Sequence, residues 1–240
     1  MDTLILAYHR VNDWSADTLT VHPAVFRKQL NYLAARYRFV PLSELVTARI
    51  KGLKLKERLA AITFDDGYFD NFHCACPILK EFAFTATFFL TTGYIGTSKL
   101  LPRDKKRGNA EKDRLLNWPE ASEMKKAGFT FGSHSLTHAN LTSIDPEQAR
   151  KEITESKKIL ETQLQEPANL FCYPFGSYSP EVKKMVADAG YQAAFVTPPV
   201  SGAGLPLKHR ITQDCYSLKR AGVYHHTAFW QFRLKTSGWL

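Results

Sequence analysis

Two adjacent carboxylates follow an apolar segment of the chain. Residues 59–64 read LAAITF, and Asp65 and Asp66 come directly after them, before Gly67 turns the chain into a predicted helix. In an α/β protein both faces of a buried strand are covered, and functional groups collect where the strand ends. Two carboxylates at such an end repel each other, so we expect a metal ion or a proton to balance them. The alternative is that one aspartate caps the helix while the other is solvated.

A second segment supplies side chains that complement this pair. His134 and His138 are four residues apart, and on a helical turn this spacing places both imidazoles on one face. With Asp66 they make three ligands for a divalent metal and leave a position open for water, which is typical of a catalytic site. A His-x-x-x-His pair alone more often fills surface or core positions. Its combination with the aspartate pair favours the metal site.

These two segments resemble motifs of a known family. Residues 63–67 (TFDDG) and 134–138 (HSLTH) are similar to the first two motifs of the polysaccharide deacetylases, the NodB-homology domain of carbohydrate esterase family 4. The resemblance covers residues 4 to about 212. It implies a distorted (β/α) barrel and hydrolysis of the N-acetyl group of an amino sugar. It also implies that Asp65 is the general base and that Asp66, His134 and His138 bind the metal, expected to be Zn²⁺, with Co²⁺ or Ni²⁺ as alternatives.

The chemistry agrees with these residue types. The metal polarises the acetyl carbonyl and lowers the pKa of its bound water, while Asp65 takes the proton as that water attacks. We expect the metal and the backbone N–H of Tyr173 to hold the resulting oxyanion. Residues 173–176 (YPFG) resemble the third motif of the family, so Tyr173, Pro174 and Phe175 are predicted to contact the substrate. The alternative is an ordinary turn after a strand.

Two more side chains are candidates for the wall of a substrate groove. Tyr68 follows the aspartate turn, and its ring could stack on the apolar face of a pyranose. Leu141 lies just past the histidine pair and is a candidate wall of the acetyl pocket. The alternative for both residues is simple packing.

The chain departs from the family pattern before the third motif. An arginine that orients the base often lies there, whereas this sequence has Phe171 and Cys172. Arg210 or Arg10 is the candidate to replace it. The missing arginine also leaves open that the protein is a catalytically silent carbohydrate-binding relative.

The final motif, a hydrophobic strand ending in the histidine that protonates the leaving amine, is also absent from its usual place. Residues 4–8 (LILAY) fit such a strand, and His9 follows them. A closed barrel has no privileged first strand, so an element can move from one terminus to the other. We therefore predict a circularly permuted arrangement, similar to the poly-N-acetylglucosamine deacetylase branch, with His9 as the general acid. His209 is the alternative, but the end of an apolar strand better suits a buried catalytic group.

Alternating strands and helices are predicted to position these residues. Their spacing indicates βαβ units and a parallel sheet. Without a glycine-rich phosphate fingerprint, an α/β fold with a distorted (β/α) barrel of about seven parallel strands is favoured. The predicted strands cover residues 4–8, 59–64, 86–90, 129–131, 170–173, 193–196 and 207–215, and the tail from residue 216 is predicted to be partly helical. We interpret residues 1–240 as one catalytic domain.

The charge balance indicates an acidic partner. The net charge is +9, and residues 99–114 hold seven basic residues against three acidic ones. This segment is predicted to be a solvated surface loop, with contact to an anionic substrate as the alternative. Because no basic helix or aromatic-interleaved patch is present, nucleic acid is not a predicted partner. The four cysteines show no zinc-binding spacing and are interpreted as free thiols, mostly buried.

The N-terminal residues show no basic segment, and the apolar run at residues 4–7 is too short for a signal peptide or a membrane span. We expect a cytoplasmic location for the chain as given, or the cell-envelope side if a leader was removed. Membrane association is expected only through a lipid-linked substrate.

Taken together, these features predict a metal-dependent N-deacetylase that releases acetate from an N-acetylhexosamine unit in a glycan or glycolipid. A carbohydrate O-acetyl esterase and a small-molecule amidohydrolase are alternatives at the same site.

Overall fold

Parallel strands form the centre of the molecule. The computed structural model describes residues 3–15, 17–53, 55–104, 111–197 and 214–236. Nine of its strands join one sheet in which every pairing is parallel. They are β1 (Thr3–Tyr8), β4 (Arg38–Phe39), β5 (Leu59–Phe64), β6 (Thr87–Leu90), β7 (Thr130–Ser133), β8 (Leu170–Cys172), β9 (Ala193–Val196), β10 (Leu218–Lys219) and β11 (Ala221–Gly222). Two short strands, β2 (Arg10–Val11) and β3 (Thr20–Val21), pair only with each other.

The segment that contains β10 and β11 closes this sheet. Leu218 in β10 pairs with Phe195 of β9, and Ala221 in β11 pairs with Leu6 of β1. Only Arg220 separates the two short strands, so one stretch of chain joins both edges of the sheet. If β10 and β11 are counted as one strand, the barrel has the seven main strands that the sequence predicts, with β4 added beside β5. The predicted distorted (β/α) barrel is confirmed.

Helices surround the barrel and follow the predicted order. They are α1 (Pro23–Ala34), α2 (Leu42–Ile50), α3 (Cys76–Glu81), α4 (Trp118–Lys126), α5 (Pro146–Leu164), α6 (Pro180–Asp188) and α7 (Phe229–Thr236). A wider helical turn, Asn71–Ala75, leads into α3. Several helices have a proline in their first turn. This is favourable because backbone N–H groups there have no intrahelical acceptor, so the N–H that proline lacks is not missed. None of the described helices combines the length and apolar composition that a membrane span requires.

Strand residues alternate between the barrel interior and the helix layer. Ile5 belongs to a buried cluster with Phe89 and Phe195, whereas its neighbours Leu4 and Leu6 pack in a second cluster with residues of α1. Every residue of β5 is buried, because a parallel strand in such a barrel is covered on both faces. The continuous apolar run before Asp65 is therefore a requirement of the fold.

The end of the chain differs from the prediction. Residues 198–213, which include most of the predicted strand 207–215, lie outside the described residues, and Asp214 and Cys215 are not in a strand. The closing strand lies at Leu218–Lys219 and Ala221–Gly222, in the predicted tail, and α7 provides the helical part. The hydropathy pattern does not indicate this strand, because Lys219 is exposed and the buried Arg220 is charged. All four cysteines are free, as predicted; Cys76 and Cys172 are buried and the other two are half-buried.

A buried arginine links β2 to the helix that follows β5. Arg10 is 0% exposed, and its guanidinium donates to Asp70 at 2.8 Å and to Asp113 at 2.6 Å. Asp70 also accepts from the backbone N–H of Val11 and from Asn12. The guanidinium of Arg10 is thus bound in a structural network. The prediction that Arg10 orients the general base, Asp65, is wrong.

We predict that Arg10→Met lowers the free energy of unfolding by about 3–5 kcal/mol, because it leaves the buried carboxylate of Asp70 without its counter-ion. Urea denaturation measures the change. The matched control is Arg27→Met, which removes a surface pair with Glu81 and should leave the midpoint almost unchanged. Equal shifts for the two variants would contradict a stabilising role for the Arg10 network.

Candidate active site

Polar residues from several strands meet at one edge of the barrel. Asp65 and Asp66 follow β5, His9 follows β1, His134 follows β7, and Arg220 lies between β10 and β11. Because parallel strands end on the same side of a sheet, residues that are distant in the sequence become neighbours there. The predicted base, acid and metal ligands are therefore brought to one place.

The three predicted metal ligands face one another. Asp66 Oδ1 lies 3.6 Å from His134 Nε2 and 3.2 Å from His138 Nε2. These donor atoms form one of the groups in the described structure that are spaced to hold a metal ion. Asp66 Oδ1 is buried and has no hydrogen-bond partner among the described residues. A buried carboxylate oxygen without a partner is costly unless a cation satisfies it. A divalent metal fits this donor set.

The histidine pair lies on a loop, so the predicted helical turn is wrong. Ser135 and His138 have φ angles of 64° and 61°, a left-handed conformation that is strained for residues other than glycine. Glu152 on α5 holds the loop, since its carboxylate accepts from the backbone N–H and the hydroxyl of Thr137 at 2.8 and 2.7 Å. Ser135 Oγ accepts from the N–H of His138 at 3.0 Å. These hydrogen bonds hold the two imidazoles on one side of the loop, as a helical turn would otherwise do.

The tautomer of His134 follows from its hydrogen bond. Its Nδ1 lies 2.8 Å from the carbonyl oxygen of Cys172, which can only accept, so Nδ1 carries the proton. Burial lowers the pKa of His134 to about 4, and the ring is neutral at neutral pH. The lone pair of Nε2 is thereby directed at Asp66. This is the usual arrangement of a metal-binding histidine with a backbone acceptor behind it.

Asp66 also contacts an arginine that the sequence analysis did not assign. Arg103 donates to Asp66 Oδ2, and at 3.1 Å to Tyr68 Oη. Although burial opposes ionisation, the charge of Arg103 and the nearby His138 hold the pKa of Asp66 well below its usual range. The segment 99–104 therefore reaches into the site, and its interpretation as a purely solvated loop is wrong. Residues 105–110 lie outside the described residues.

Tyr68 packs behind this contact. Its side chain is fully buried, and its hydroxyl donates to Asp104 at 2.8 Å. No face of the ring is open to a sugar, so the structure contradicts its predicted role in a groove wall. Leu141 is 2% exposed and packs in a cluster with Ile153 and Tyr173, which corresponds to the packing alternative.

Asp65 is held by Arg220 through two hydrogen bonds. Arg220 Nη1 donates to Asp65 Oδ1 at 2.7 Å, and Nη2 donates to Oδ2 at 2.6 Å. Thr63 and Thr197 accept further bonds from the same guanidinium at 2.8 and 2.7 Å. Burial alone would raise the pKa of Asp65, but Arg220 keeps it below the usual value. Asp65 is therefore ionised and oriented.

Arg220 is the functional residue that the sequence analysis missed. Arg10, one candidate for this place, is bound elsewhere, and Arg210, the other, lies outside the described residues. The available signal was weak: Arg220 follows Lys219 directly, so the sequence offered two adjacent basic residues between Leu218 and Ala221. Cys172, at the position before the third motif, contacts the guanidinium through Sγ at 2.9 Å.

His9 lies beside the predicted base. Its Nε2 is 3.9 Å from Asp65 Oδ2, and the side chain is 12% exposed. Burial lowers the pKa of His9. Its position at the end of β1 agrees with the predicted permuted arrangement, while the alternative, His209, lies outside the described residues.

The third motif presents one exposed side chain to this site. Phe175 is 62% exposed, and its ring centroid lies 4.6 Å from that of His138. Tyr173 and Pro174 are buried. The backbone N–H of Tyr173 donates to the carbonyl of Phe195 at 3.1 Å, so the prediction that it holds the oxyanion is wrong.

Comparison with known proteins shows the family to which the chain belongs. The sequence profile described as polysaccharide deacetylase matches residues 52–194. The YxkH protein of Bacillus subtilis strain 168, whose name classes it with polysaccharide deacetylases, is 28% identical over 211 residues, covering 86% of this chain and 70% of that protein. The poly-β-1,6-N-acetyl-D-glucosamine N-deacetylase of Staphylococcus epidermidis is 27% identical over 233 residues, covering 85% of this chain and 77% of that protein.

The fold itself recurs in a solved structure. IcaB from Ammonifex degensii matches 97% of this chain and 96% of its own with a TM-score of 0.78, at 22% identity. This likeness concerns the fold alone.

We predict that Asp66→Asn weakens Zn²⁺ binding by more than about 100-fold, because its Oδ1 faces both imidazoles and second-sphere changes alone cost 10–100-fold. The neighbouring isosteric change, Asp65→Asn, should alter the affinity only slightly, since Asp65 is bound by Arg220. Competition with a chromophoric chelator measures both constants, and circular dichroism verifies folding. A larger loss of Zn²⁺ affinity in Asp65→Asn than in Asp66→Asn would show that Asp65 is the metal ligand.

Proposed function

The chain belongs to the polysaccharide deacetylase family, and from this membership we propose that it hydrolyses the N-acetyl group of an N-acetylhexosamine unit in a glycan or glycolipid, releasing acetate. One observation carries the proposal: Asp65, oriented by Arg220, is adjacent to the ligand Asp66 and 3.9 Å from His9. A base, an acid and a metal-binding group thus share one site. Relatives named as poly-β-1,6-N-acetyl-D-glucosamine N-deacetylases support an amino-sugar polymer as the substrate class.

A divalent metal, Zn²⁺ in this proposal, would be held by Asp66, His134 and His138. When bound there, it polarises the acetyl carbonyl and lowers the pKa of a water molecule. Two imidazoles and one carboxylate match the ligands that Zn²⁺ uses in catalytic sites. Co²⁺ and Ni²⁺ accept the same donors, so they are alternatives.

Asp65 acts as the general base in this reaction. Its lowered pKa keeps it ionised at neutral pH, and it can accept a proton from the attacking water. Both carboxylate oxygens contact Arg220, and Oδ2 also lies 3.7 Å from Cys172 Sγ, yet a carboxylate has about four lone-pair sites, so one remains for a water molecule. The arginine makes the carboxylate a weaker base but fixes its direction, and positioning of this kind contributes strongly to catalysis.

His9 acts as the general acid. Because burial lowers its pKa, the free imidazole is neutral at neutral pH and must gain a proton during the reaction. Its Nε2 is 3.9 Å from Asp65 Oδ2, which is too long for a direct hydrogen bond. The proton that Asp65 takes from water therefore passes to His9 through one water molecule, and from there to the leaving amine.

The turn after β8 supplies a backbone donor for the oxyanion. Pro174 has no N–H, the N–H of Gly176 donates to the carbonyl of Tyr173, and that of Ser177 donates to the carbonyl of Pro174. The N–H of Phe175 remains, and the ring of this residue lies against His138. We assign the N–H of Phe175 to the oxyanion in place of Tyr173, and the exposed ring of Phe175 to the substrate wall.

A catalytically silent relative is now less well supported. The absence of an arginine before the third motif suggested it, but Arg220 binds the predicted base from the closing segment. An O-acetyl esterase or a small-molecule amidohydrolase would use the same residues, and only substrate specificity separates them from an N-deacetylase.

We predict that the metal-loaded protein releases acetate from β-1,6-linked N-acetylglucosamine oligomers faster than from O-acetylated xylan oligomers. A coupled acetate assay measures both rates. Dialysis against a chelator should remove the activity and Zn²⁺ should restore it, with Asp65→Asn as the inactive control. Release from acetylated xylan alone would favour the esterase, and no release by a protein with stoichiometric Zn²⁺ would favour the silent relative.

We predict that His9→Ala lowers kcat by about 10²–10⁴-fold, the usual contribution of a general acid, and leaves Zn²⁺ affinity nearly unchanged. His209→Ala is the matched variant and should retain most of the turnover. Single-turnover acetate release measures the chemical step in both. Loss of turnover in His209→Ala but not in His9→Ala would assign the acid to His209.

A further inference from the structure

Tyr224 lies next to His9, the proposed general acid, and takes no part in the proposed proton transfers. Its ring centroid is 6.0 Å from that of His9, with the planes 32° apart. On another side it stacks on His226, at 5.9 Å and 4°. Burial raises the pKa of Tyr224, and the charge of Asp65 raises it further. The phenol therefore stays neutral and can donate a hydrogen bond at neutral pH.

The backbone holds Tyr224 in a fixed place. Its N–H donates to Thr227 Oγ1 at 3.0 Å, and its carbonyl accepts from the N–H of Thr227 at 2.9 Å. The preceding residue, Val223, donates its N–H to the carbonyl of Ala7 in β1 at 2.9 Å. The residue before Tyr224 is thus bound to β1, and Tyr224 itself is bound within the turn that follows, which suits a residue that must meet a substrate in one orientation.

Gly222 leaves the space that Tyr224 occupies. A Cβ at Gly222 would lie 2.7 Å from Tyr224 Cε2 and 2.8 Å from its Oη. Both distances are shorter than the van der Waals contact of a Cβ with a non-bonded atom. Gly222 does not have a positive φ, so glycine is needed here for room and not for conformation. Alternate residues of a strand face the same side, so Gly222 shares the side of Arg220. The tip of Tyr224 therefore lies towards the Arg220–Asp65 pair.

The hydroxyl of Tyr224 has no hydrogen-bond partner among the described residues. Tyr224 is half-buried, and a tyrosine in that environment usually finds a partner for its O–H. The ring lies beside that of His9, whose target in the proposed reaction is the leaving amine. In the proposed reaction the acetyl group faces the metal ligands Asp66, His134 and His138, which would leave the sugar ring on the other side of the amine. A donor beyond His9 can therefore reach the sugar.

We propose that Tyr224 Oη donates a hydrogen bond to a hydroxyl of the sugar that bears the scissile acetamido group, which makes Tyr224 a specificity-determining residue. This inference rests on the proposed function. Its ligand class is a pyranose with a free hydroxyl next to the N-acetylated carbon. An acyl substrate without a sugar cannot use this bond, because it offers no acceptor at that place.

The test is Tyr224→Phe, which removes only the hydroxyl. We expect kcat/KM to fall about 10-fold for an N-acetylglucosamine oligomer, the scale of one lost hydrogen bond, and to stay unchanged for an aryl acetate. The pH profile should not move, because His9 and Asp65 are intact. Tyr32→Phe is the matched control: Tyr32 is half-buried on α1, where it packs against Phe229 of α7, and neither rate should change.

Gly222→Ala provides a second variant, since the added methyl group displaces the tip of Tyr224. It should reproduce the selective loss on the oligomer, with thermal unfolding as the check on folding. An equal loss on both substrates, or a shifted pH profile, would overturn the inference by showing that Tyr224 acts through His9. Unchanged oligomer turnover in Tyr224→Phe would overturn the role of Tyr224 and leave the proposed function intact. Absence of oligomer turnover in the unaltered protein would instead overturn the proposed function, and this inference with it.

Discussion

The ion pair between Asp65 and Arg220 is the interaction on which the site depends. Both side chains are almost completely buried, and two hydrogen bonds of 2.7 and 2.6 Å join them. A buried carboxylate without its partner would be strongly destabilising. Since Arg220 lies between β10 and β11, the stretch that closes the barrel also supplies the charge that Asp65 needs. Closure of the fold and orientation of the proposed base are therefore one structural event.

The two adjacent aspartates differ because each has its own arginine. Arg220 binds both oxygens of Asp65, whereas Arg103 binds Oδ2 of Asp66 and leaves Oδ1 facing the two imidazoles. Repulsion between neighbouring carboxylates is thus balanced from two separate segments of the chain. The backbone at Asp66 is left-handed, with φ of 74°, a conformation that is strained for a residue other than glycine. The same residue type can then serve as a metal ligand and as a base.

Local patterns predicted the parts of this arrangement that depend on local physics. The apolar run before Asp65 indicated a buried strand, and the strand ends indicated where ligands would meet; the structure confirms the barrel and brings His134, His138 and Asp66 together. The closing strand was not predictable in this way, because two-residue strands around a buried arginine have no apolar pattern. Nor does sequence spacing reveal that the amide of Tyr173 is already used in the sheet. Those features follow from long-range pairing alone.

The closing segment has a consequence for how the protein folds. Asp65 and Arg220 are 155 residues apart in the chain, and β1 pairs with both β5 and β11. During vectorial synthesis the proposed metal ligands emerge from the ribosome well before the arginine that binds Asp65. Burying that carboxylate earlier would be unfavourable, so the nascent barrel is expected to stay open at this edge. Such non-local contacts give a high contact order and slow, cooperative folding. Formation of the site therefore has to wait until the segment that carries Arg220 docks between β9 and β1.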